Sequence, residues 1–124
     1  MKNLIVDLDD TICSKNPVDE YCDAKPNLIL ISKLKEYKER GFRIVIYTSR
    51  NMRTYSGNLG KINRHTLPVI IEWLNCHMPF YDEIYVGKPW CGFDGFYIDD
   101  KAIRPSEFNK YTYEQILSIL DAEK

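Results

Sequence analysis

An apolar run, Leu4-Ile5-Val6, passes without a break into Asp7-Leu8-Asp9-Asp10-Thr11-Ile12. The run reads as a buried β-strand. A strand that ends in Asp7 and Asp9 is locally expensive, because like charges repel and burial penalises each carboxylate. Something at that end must offset the cost, and a divalent cation is the simplest candidate. Taken alone, Asp-x-Asp reads equally well as a solvated acidic turn. The rest of the chain decides between the two.

Downstream, strand and helix patterns alternate. Residues 3–8 read as the first strand, and 13–26 as an irregular polar loop containing Pro17 and Pro26. Pro26 marks a helix start, and Leu28, Ile31, Leu34 and Tyr37 follow at helical spacing. Lys38, Glu39 and Arg40 form a charged last turn that Gly41 stops. Phe42 to Tyr47 is a second strand, residues 51–65 a polar loop, and Leu67 to Cys76 a helix with Val69, Ile70, Trp73 and Leu74 on its apolar side. Glu83 to Gly87 reads as a third strand. Gly95 to Ile98 reads as a fourth, running into Asp99 and Asp100. Thr112 and Gln115 form a capping-box pattern ahead of Ile116, Leu117, Ile119 and Leu120, so the chain closes on a helix.

This alternation predicts an α/β fold: a three-layer, Rossmann-like parallel sheet flanked by helices, with right-handed crossovers. Ligands of such sheets gather at the carboxyl ends of the strands. Those ends carry Asp7, Asp9 and Thr11, then Thr48, Ser49 and Arg50, then Lys88, then Asp99 and Asp100. Acids, hydroxyls and one lysine from four separate segments are thus expected on one edge.

Size and composition narrow the classes. A chain of 124 residues suits one domain, 1–124, with a real core. Its formal net charge of −1 offers no basic field for non-specific nucleic-acid binding. No apolar run approaches the length of a membrane span, and no secretion signal precedes the first strand, so a cytoplasmic protein is expected. Cys13, Cys22, Cys76 and Cys91 are then expected as reduced, structural thiols, and no Cys-x-x-Cys pair offers a zinc site.

Carboxylates, hydroxyls and a lysine around Mg²⁺ suit phosphoryl transfer. A hard cation needs only two or three protein oxygens and keeps its remaining waters. One carboxylate can attack as a nucleophile, and a second can move the proton. Hydroxyl and ammonium groups can then neutralise the transferring phosphoryl oxygens.

In these motifs the chain resembles the haloacid dehalogenase-like superfamily of phosphohydrolases over essentially its whole length. The matching segments are LIVDLDDTI, RIVIYTS, the lysine of VGKPW, and FYIDD, in the family's order. The resemblance implies that Asp7 is nucleophile and metal ligand. It makes Asp9 the general acid/base, with its main-chain carbonyl on the metal. Thr48 would bind the phosphoryl group, with Ser49 as a substitute, and Lys88 would steady that group and Asp7. Asp99 and Asp100 would complete the Mg²⁺ site, Asp100 being favoured as the direct ligand. Thr11 is read as supporting the turn at the phosphate. Asp10 reads as a turn residue, and Arg50 as facing either the phosphate or a surface acid.

The family often carries an inserted cap. Here 14 residues separate Thr11 from Pro26, and Gly95 follows Lys88 by seven positions, so neither gap holds a domain. A capless member is expected, with an open site and a homo-oligomer as one way to cover it. The 51–65 loop, with Arg53, Lys61 and Arg64, reads either as solvated surface or as a substrate lid. With TSRNMRTYSGN and KINRHTLP, the chain looks most like small bacterial phosphatases of capsule or surface-polysaccharide synthesis, which implies a sugar phosphate or related small phosphorylated substrate. Alternatives are a polynucleotide end phosphatase on the same scaffold, a receiver-like signalling module, and a silent binding scaffold. A receiver opens with its acidic pair and places its lysine last; this chain does the reverse.

Overall fold

The computed structural model describes residues 2–14 and 23–124. Pro17 and Cys22 of the first loop lie outside the described residues. Strand β1 (Lys2–Val6) pairs in parallel with β4 (Phe42–Tyr47), Leu4 opposite Ile44 and Val6 opposite Ile46. Strand β5 (Glu83–Tyr85) joins the far side of β4, also in parallel, giving the order β1-β4-β5. Between β1 and β4 lies a small antiparallel pair, β2 (Cys13–Ser14) with β3 (Lys25–Pro26). The fold is therefore α/β, with a parallel three-stranded sheet flanked by helices.

The chain gathers into two compact units, Met1–Trp90 and Cys91–Lys124. In the first, β4 is the central strand, and its alternation decides its two faces. Phe42, Ile44 and Ile46 are all buried on one face, where helix α1 (Leu28–Glu39) packs. Full burial of a side chain such as Ile44 or Leu34 stabilises the fold by roughly 1.5–3 kcal/mol.

Helix α1 starts two residues later than Pro26 suggests. Pro26 is spent in the β2–β3 pair, and Asn27 caps the helix by accepting from the Leu30 N–H at 3.2 Å. The same Asn27 donates from Nδ2 to the Thr11 carbonyl at 3.2 Å, so the cap also ties down the acidic turn. The buried stripe is Leu30, Ile31, Leu34 and Tyr37; Leu28, expected in it, is 70% exposed. Leu30 lies four residues before Leu34 and takes that place, whereas Leu28 at the first position faces out. Arg40 caps the other end, and Gly41 leaves it with φ +97°, a conformation that side chains resist.

The expected 51–65 loop is only half a loop. Helix α2 (Leu59–Lys61) runs through a π-type turn (Ile62–Thr66) straight into α3 (Leu67–His77). Pro68 explains the wide turn. A proline ring clashes with the carbonyl four residues back, and widening the turn by one residue admits it; the Leu67 N–H accordingly bonds to the Ile62 carbonyl. Ile62 is fully buried and anchors this polar-looking segment alongside Ile70, Trp73 and Leu74. Trp73 Nε1 also donates to the Ala24 carbonyl at 2.9 Å, which pins the chain entering β3.

Asp82 sets the start of β5. It accepts from Lys38 Nζ at 2.6 Å and from the Ile44 N–H at 2.7 Å, and the Lys38 hydrogen bond holds its carboxyl below the ordinary value. A carboxyl depressed by folding stabilises above its unfolded pKa and loses that contribution as pH falls through the folded value. Asp82→Asn is thus expected to cost about 1 kcal/mol at neutral pH. In thermal melts across pH, the gap from wild type closes once the medium is more acidic than the ordinary carboxylate range.

The second unit contains α4 (Pro105–Lys110) and α5 (Tyr113–Asp121). The capping box at α5 forms as expected: Thr112 Oγ1 accepts from the Gln115 N–H at 3.2 Å, and Gln115 Oε1 from the Thr112 N–H at 2.9 Å. A correction concerns Gly95–Ile98, which the sequence makes a fourth strand. It joins no ladder among the described residues. Its composition is that of a strand, but strand geometry persists only when a neighbouring backbone takes up its N–H and C=O groups. The described cysteines, Cys13, Cys76 and Cys91, are free thiols. No described helix is long and apolar enough to cross a membrane.

Candidate functional site

The carboxyl ends of β1 and β4 lie side by side because the strands are parallel and in register. After Val6 the chain turns sharply: the N–H groups of Thr11, Ile12 and Cys13 all point back to the Leu8 carbonyl, at 3.3, 2.9 and 3.2 Å. Leu8 and Ile12 are buried and plug the turn into the core, so Asp7 and Asp9 stay at its rim, half-buried. Asp10, exposed with φ +61°, is a turn residue as expected; aspartate tolerates that conformation.

Asp7 occupies the centre of the group. Its Oδ2 accepts from Thr11 Oγ1 at 3.3 Å, and its Oδ1 lies 3.7 Å from Lys88 Nζ. Burial pushes the Asp7 carboxyl above its ordinary value, against the pull of the Lys88 ammonium, the Leu8 N–H and the Thr11 hydroxyl. A carboxylate carrying this cost gains from any cation brought to it.

Lys88 reaches Asp7 through a shaped backbone. Its N–H donates to the Thr48 carbonyl at 3.1 Å, extending the β4–β5 ladder one step past the strand ends. Gly87 before it has φ +85°, and a Cβ there would meet Leu59 Cδ2 at 2.6 Å. The left-handed turn requires glycine, whereas the flexible Leu59 side chain can swing clear of a Cβ.

Thr48 is 1% exposed. Its hydroxyl accepts from the Arg50 N–H at 3.0 Å, and its own N–H donates to the Tyr85 carbonyl. The hydroxyl thus closes the turn after β4 while keeping its own proton to donate. Ser49 beside it is half-buried.

Arg50 is where the structure departs furthest from a surface reading. It is 5% exposed and grips Asp9 with two bonds, Nε to Oδ2 at 3.0 Å and one terminal nitrogen to Oδ1 at 2.8 Å. This fork-to-fork pairing is the strongest geometry available to the two groups. The acid that Arg50 meets is a site carboxylate. Cys13, fully buried beside the pair, has its thiol pushed up to about 12 by burial. It is a packing residue, not a nucleophile.

Asp7, Asp9, Thr11, Thr48, Ser49, Arg50 and Lys88 all belong to the first unit. Asp99 and Asp100 belong to the second, where the Asp99 carboxylate accepts from the Lys101 N–H at 2.8 Å. Among the described residues, no group of three or more His, Cys, Asp or Glu side chains is gathered for a metal ion. Arg53 and Arg64 are exposed, on the turn after Arg50 and on the π-type turn. That turn is fastened by Asn51, with φ +62°, whose Oδ1 accepts from the buried Thr66 hydroxyl at 2.7 Å. The Asn51–Thr66 bond and the Arg50–Asp9 pair were not legible from spacing. Only the burial of Arg50 and Thr66 exposes them.

A strand-end carboxylate facing a lysine, with a buried threonine on the next strand, defines an α/β protein with a polar site at its sheet edge. Over the full length of both chains, this one matches the crystal structure of a target protein from Vibrio cholerae at 59% identity and a TM-score of 0.96, and it belongs to the same family as that protein. No protein-family model and no curated protein sequence matches it.

Proposed function

We propose that the chain is a phosphomonoester hydrolase of the haloacid dehalogenase type, working through an aspartyl-phosphate on Asp7. The observation that carries this reading is the placement of Asp7: at a strand end, hydrogen-bonded by Thr11, and 3.7 Å from the Lys88 ammonium. An Asp7 oxygen attacks phosphorus, and the bond from phosphorus to the alcohol oxygen breaks. Asp9 gives its proton to the departing alcohol. Water then attacks the phosphorus, Asp9 takes its proton, and phosphate leaves a regenerated Asp7. The Thr48 hydroxyl and Lys88 stabilise the phosphoryl oxygens throughout. Arg50 occupies both oxygens of Asp9, so Asp9 must release one of them to carry a proton.

The residues of the first unit fit a cation of the Mg²⁺ type in part. Asp7 supplies a burdened carboxylate and Asp9 a main-chain carbonyl, while the Asp9 side chain is committed to Arg50. Bound there, Mg²⁺ would offset charge on the phosphoryl oxygens, and the family resemblance implies a further protein oxygen from Asp99 or Asp100. The preferred substrate class is a small sugar phosphate or related metabolite, in keeping with the resemblance to polysaccharide-synthesis phosphatases. Exposed Arg53 and Arg64 support the alternative of a polynucleotide end.

The test is release of phosphate from an aryl phosphate with and without Mg²⁺, followed by a screen of sugar, nucleotide and oligonucleotide phosphates. Hydrolysis that needs Mg²⁺ and leaves phosphate on Asp7 in quenched samples is the expected result. No release from any of these overturns the reading. Turnover of oligonucleotide ends alone replaces the substrate class.

Lys88 yields a separate prediction. Lys88→Met is expected to lower kcat/KM on the order of 10²–10³-fold. Because Lys88 also pulls the Asp7 carboxyl down, its removal moves the acid limb of the pH–rate profile to higher pH. Activity lost with the limb unmoved would confine Lys88 to the phosphate.

A further inference from the structure

We propose that Asn51 and Thr66 are positioning residues of this site: the hydrogen bond between their side chains fixes the turn that aims Arg50 at Asp9.

An arginine held in a fork is demanding to place. Its long side chain gives up more rotamer freedom than most on being fixed, and the two-bond geometry tolerates little rotation of the main chain that carries it. Arg50 nonetheless meets both oxygens of Asp9, at 3.0 and 2.8 Å, across 41 positions of sequence. Something local must set the direction in which the side chain leaves the backbone.

The backbone is fastened on both sides of Arg50. Before it, the Thr48 hydroxyl accepts from the Arg50 N–H at 3.0 Å. After it, Asn51 takes the left-handed conformation, with φ +62°. Asparagine visits that region more readily than most residues, but at a cost, so its side chain must help to keep it there. The Asn51 amide is committed at both ends. Its Oδ1 accepts from the Thr66 hydroxyl at 2.7 Å, and its Nδ2 donates to the Thr54 hydroxyl at 3.1 Å.

Of the two partners, Thr66 is the anchor. Thr54 is exposed on the turn itself, whereas Thr66 is 3% exposed and lies between the buried Ile62 and Ile70 on one continuous helical run. Thr66 makes no side-chain bond to cap α3. A buried hydroxyl is costly unless bonded, and Asn51 accepts its proton. The bond joins residues 15 apart and closes the neck of segment 52–65, at the point where that segment leaves Arg50. All of these groups belong to the first unit. Without the bond the neck opens, Asn51 leaves the left-handed region, and Arg50 loses its aim. The aim itself stands on geometry; its effect on turnover rests on the phosphatase reading.

The test uses three substitutions. Thr66→Val keeps the shape and removes the hydroxyl. Asn51→Gly accepts the positive φ and removes the amide. Thr66→Ser restores the hydroxyl. Circular dichroism checks that each variant folds, and Asn51→Gly carries the test alone where Thr66→Val does not. In isotope-labelled protein the Arg50 Nε–H resonance, assigned by its absence from Arg50→Lys, reports the fork directly. Its exchange with water is expected to rise about fivefold in Thr66→Val and in Asn51→Gly, the ratio that corresponds to one ordinary hydrogen bond, and to return in Thr66→Ser. The double variant is expected to match the single ones, since both delete the same bond. On a phosphate substrate, kcat is expected to fall on the order of tenfold with KM unchanged. A resonance as protected in the folded variants as in the wild type overturns the proposal and leaves the bond a structural one. Faster exchange with kcat intact overturns it too, because the site then has no need of the aim. A wild type inactive on every phosphate fails the functional reading alone, and the exchange measurement still decides the positioning.

Discussion

Asp7→Asn is expected to abolish phosphate release, lowering kcat on the order of 10⁴-fold or more, while making the protein harder to melt. Both effects come from one carboxyl. As nucleophile it has no substitute: Asp9 is held by Arg50, and Asp10 sits on the exposed side of the turn. As a structural element Asp7 is a burden, since burial raises its pKa more than Lys88 and Thr11 lower it. An acid whose folded pKa is raised favours folding below its unfolded value and loses that contribution as pH rises through the folded value. Asparagine keeps the shape and removes the titration. The variant's melting temperature is therefore expected to exceed the wild type's at neutral pH, and the two to converge below the ordinary carboxylate range. Thermal melts at several pH values, with phosphate release on the same samples, check both halves. Added Mg²⁺ should narrow the gap by stabilising the wild type alone.

The distribution of such functional costs explains what could be read in advance. Strands β1 and β4 were legible because Leu4 to Val6 and Phe42 to Tyr47 are short apolar runs bounded by turn residues. Helix α5 was legible because its capping box is a local hydrogen-bond pattern. The turn at Asp7 was legible as an electrostatic problem. Three things were not, for three reasons. Helix α2 and the π-type turn depend on Ile62, one apolar residue among polar ones, whose burial only the packed fold decides. Leu28 and Leu30 both suit a helical stripe read in isolation; the cap at Asn27 settles which faces the sheet. Gly95–Ile98 has the right residues for a strand, but its state depends on a neighbouring backbone that no local pattern can supply. The site divides in the same way. Asp7, Thr48 and Lys88 follow from strand ends, while the partnership of Arg50 with Asp9 spans 41 positions and had no signal in spacing.

That partnership carries the second large effect. Arg50→Met is expected to destabilise the fold by about 3 kcal/mol, because it strands Asp9 without the guanidinium that holds both its oxygens. The pair is partly enclosed, with Arg50 side-chain exposure of 2% and Asp9 of 19%, so solvent makes up little of the loss. Arg50→Lys should recover only part of it: a single ammonium cannot fork across two carboxylate oxygens. Asp9→Asn in the Arg50→Met background removes the stranded charge, so the double variant should be more stable than Arg50→Met alone, with a coupling of 1 kcal/mol or more by denaturant melts. Activity separates the two roles of the pair. If Arg50 only positions Asp9, Arg50→Met lowers kcat and leaves KM near wild type, because substrate never touches the guanidinium. If Arg50 also turns to the phosphoryl oxygens during reaction, KM rises as well, and inorganic phosphate inhibits the variant more weakly than the wild type. The geometry favours the first result, since the arginine's Nε and one terminal nitrogen are already engaged by the two oxygens of Asp9.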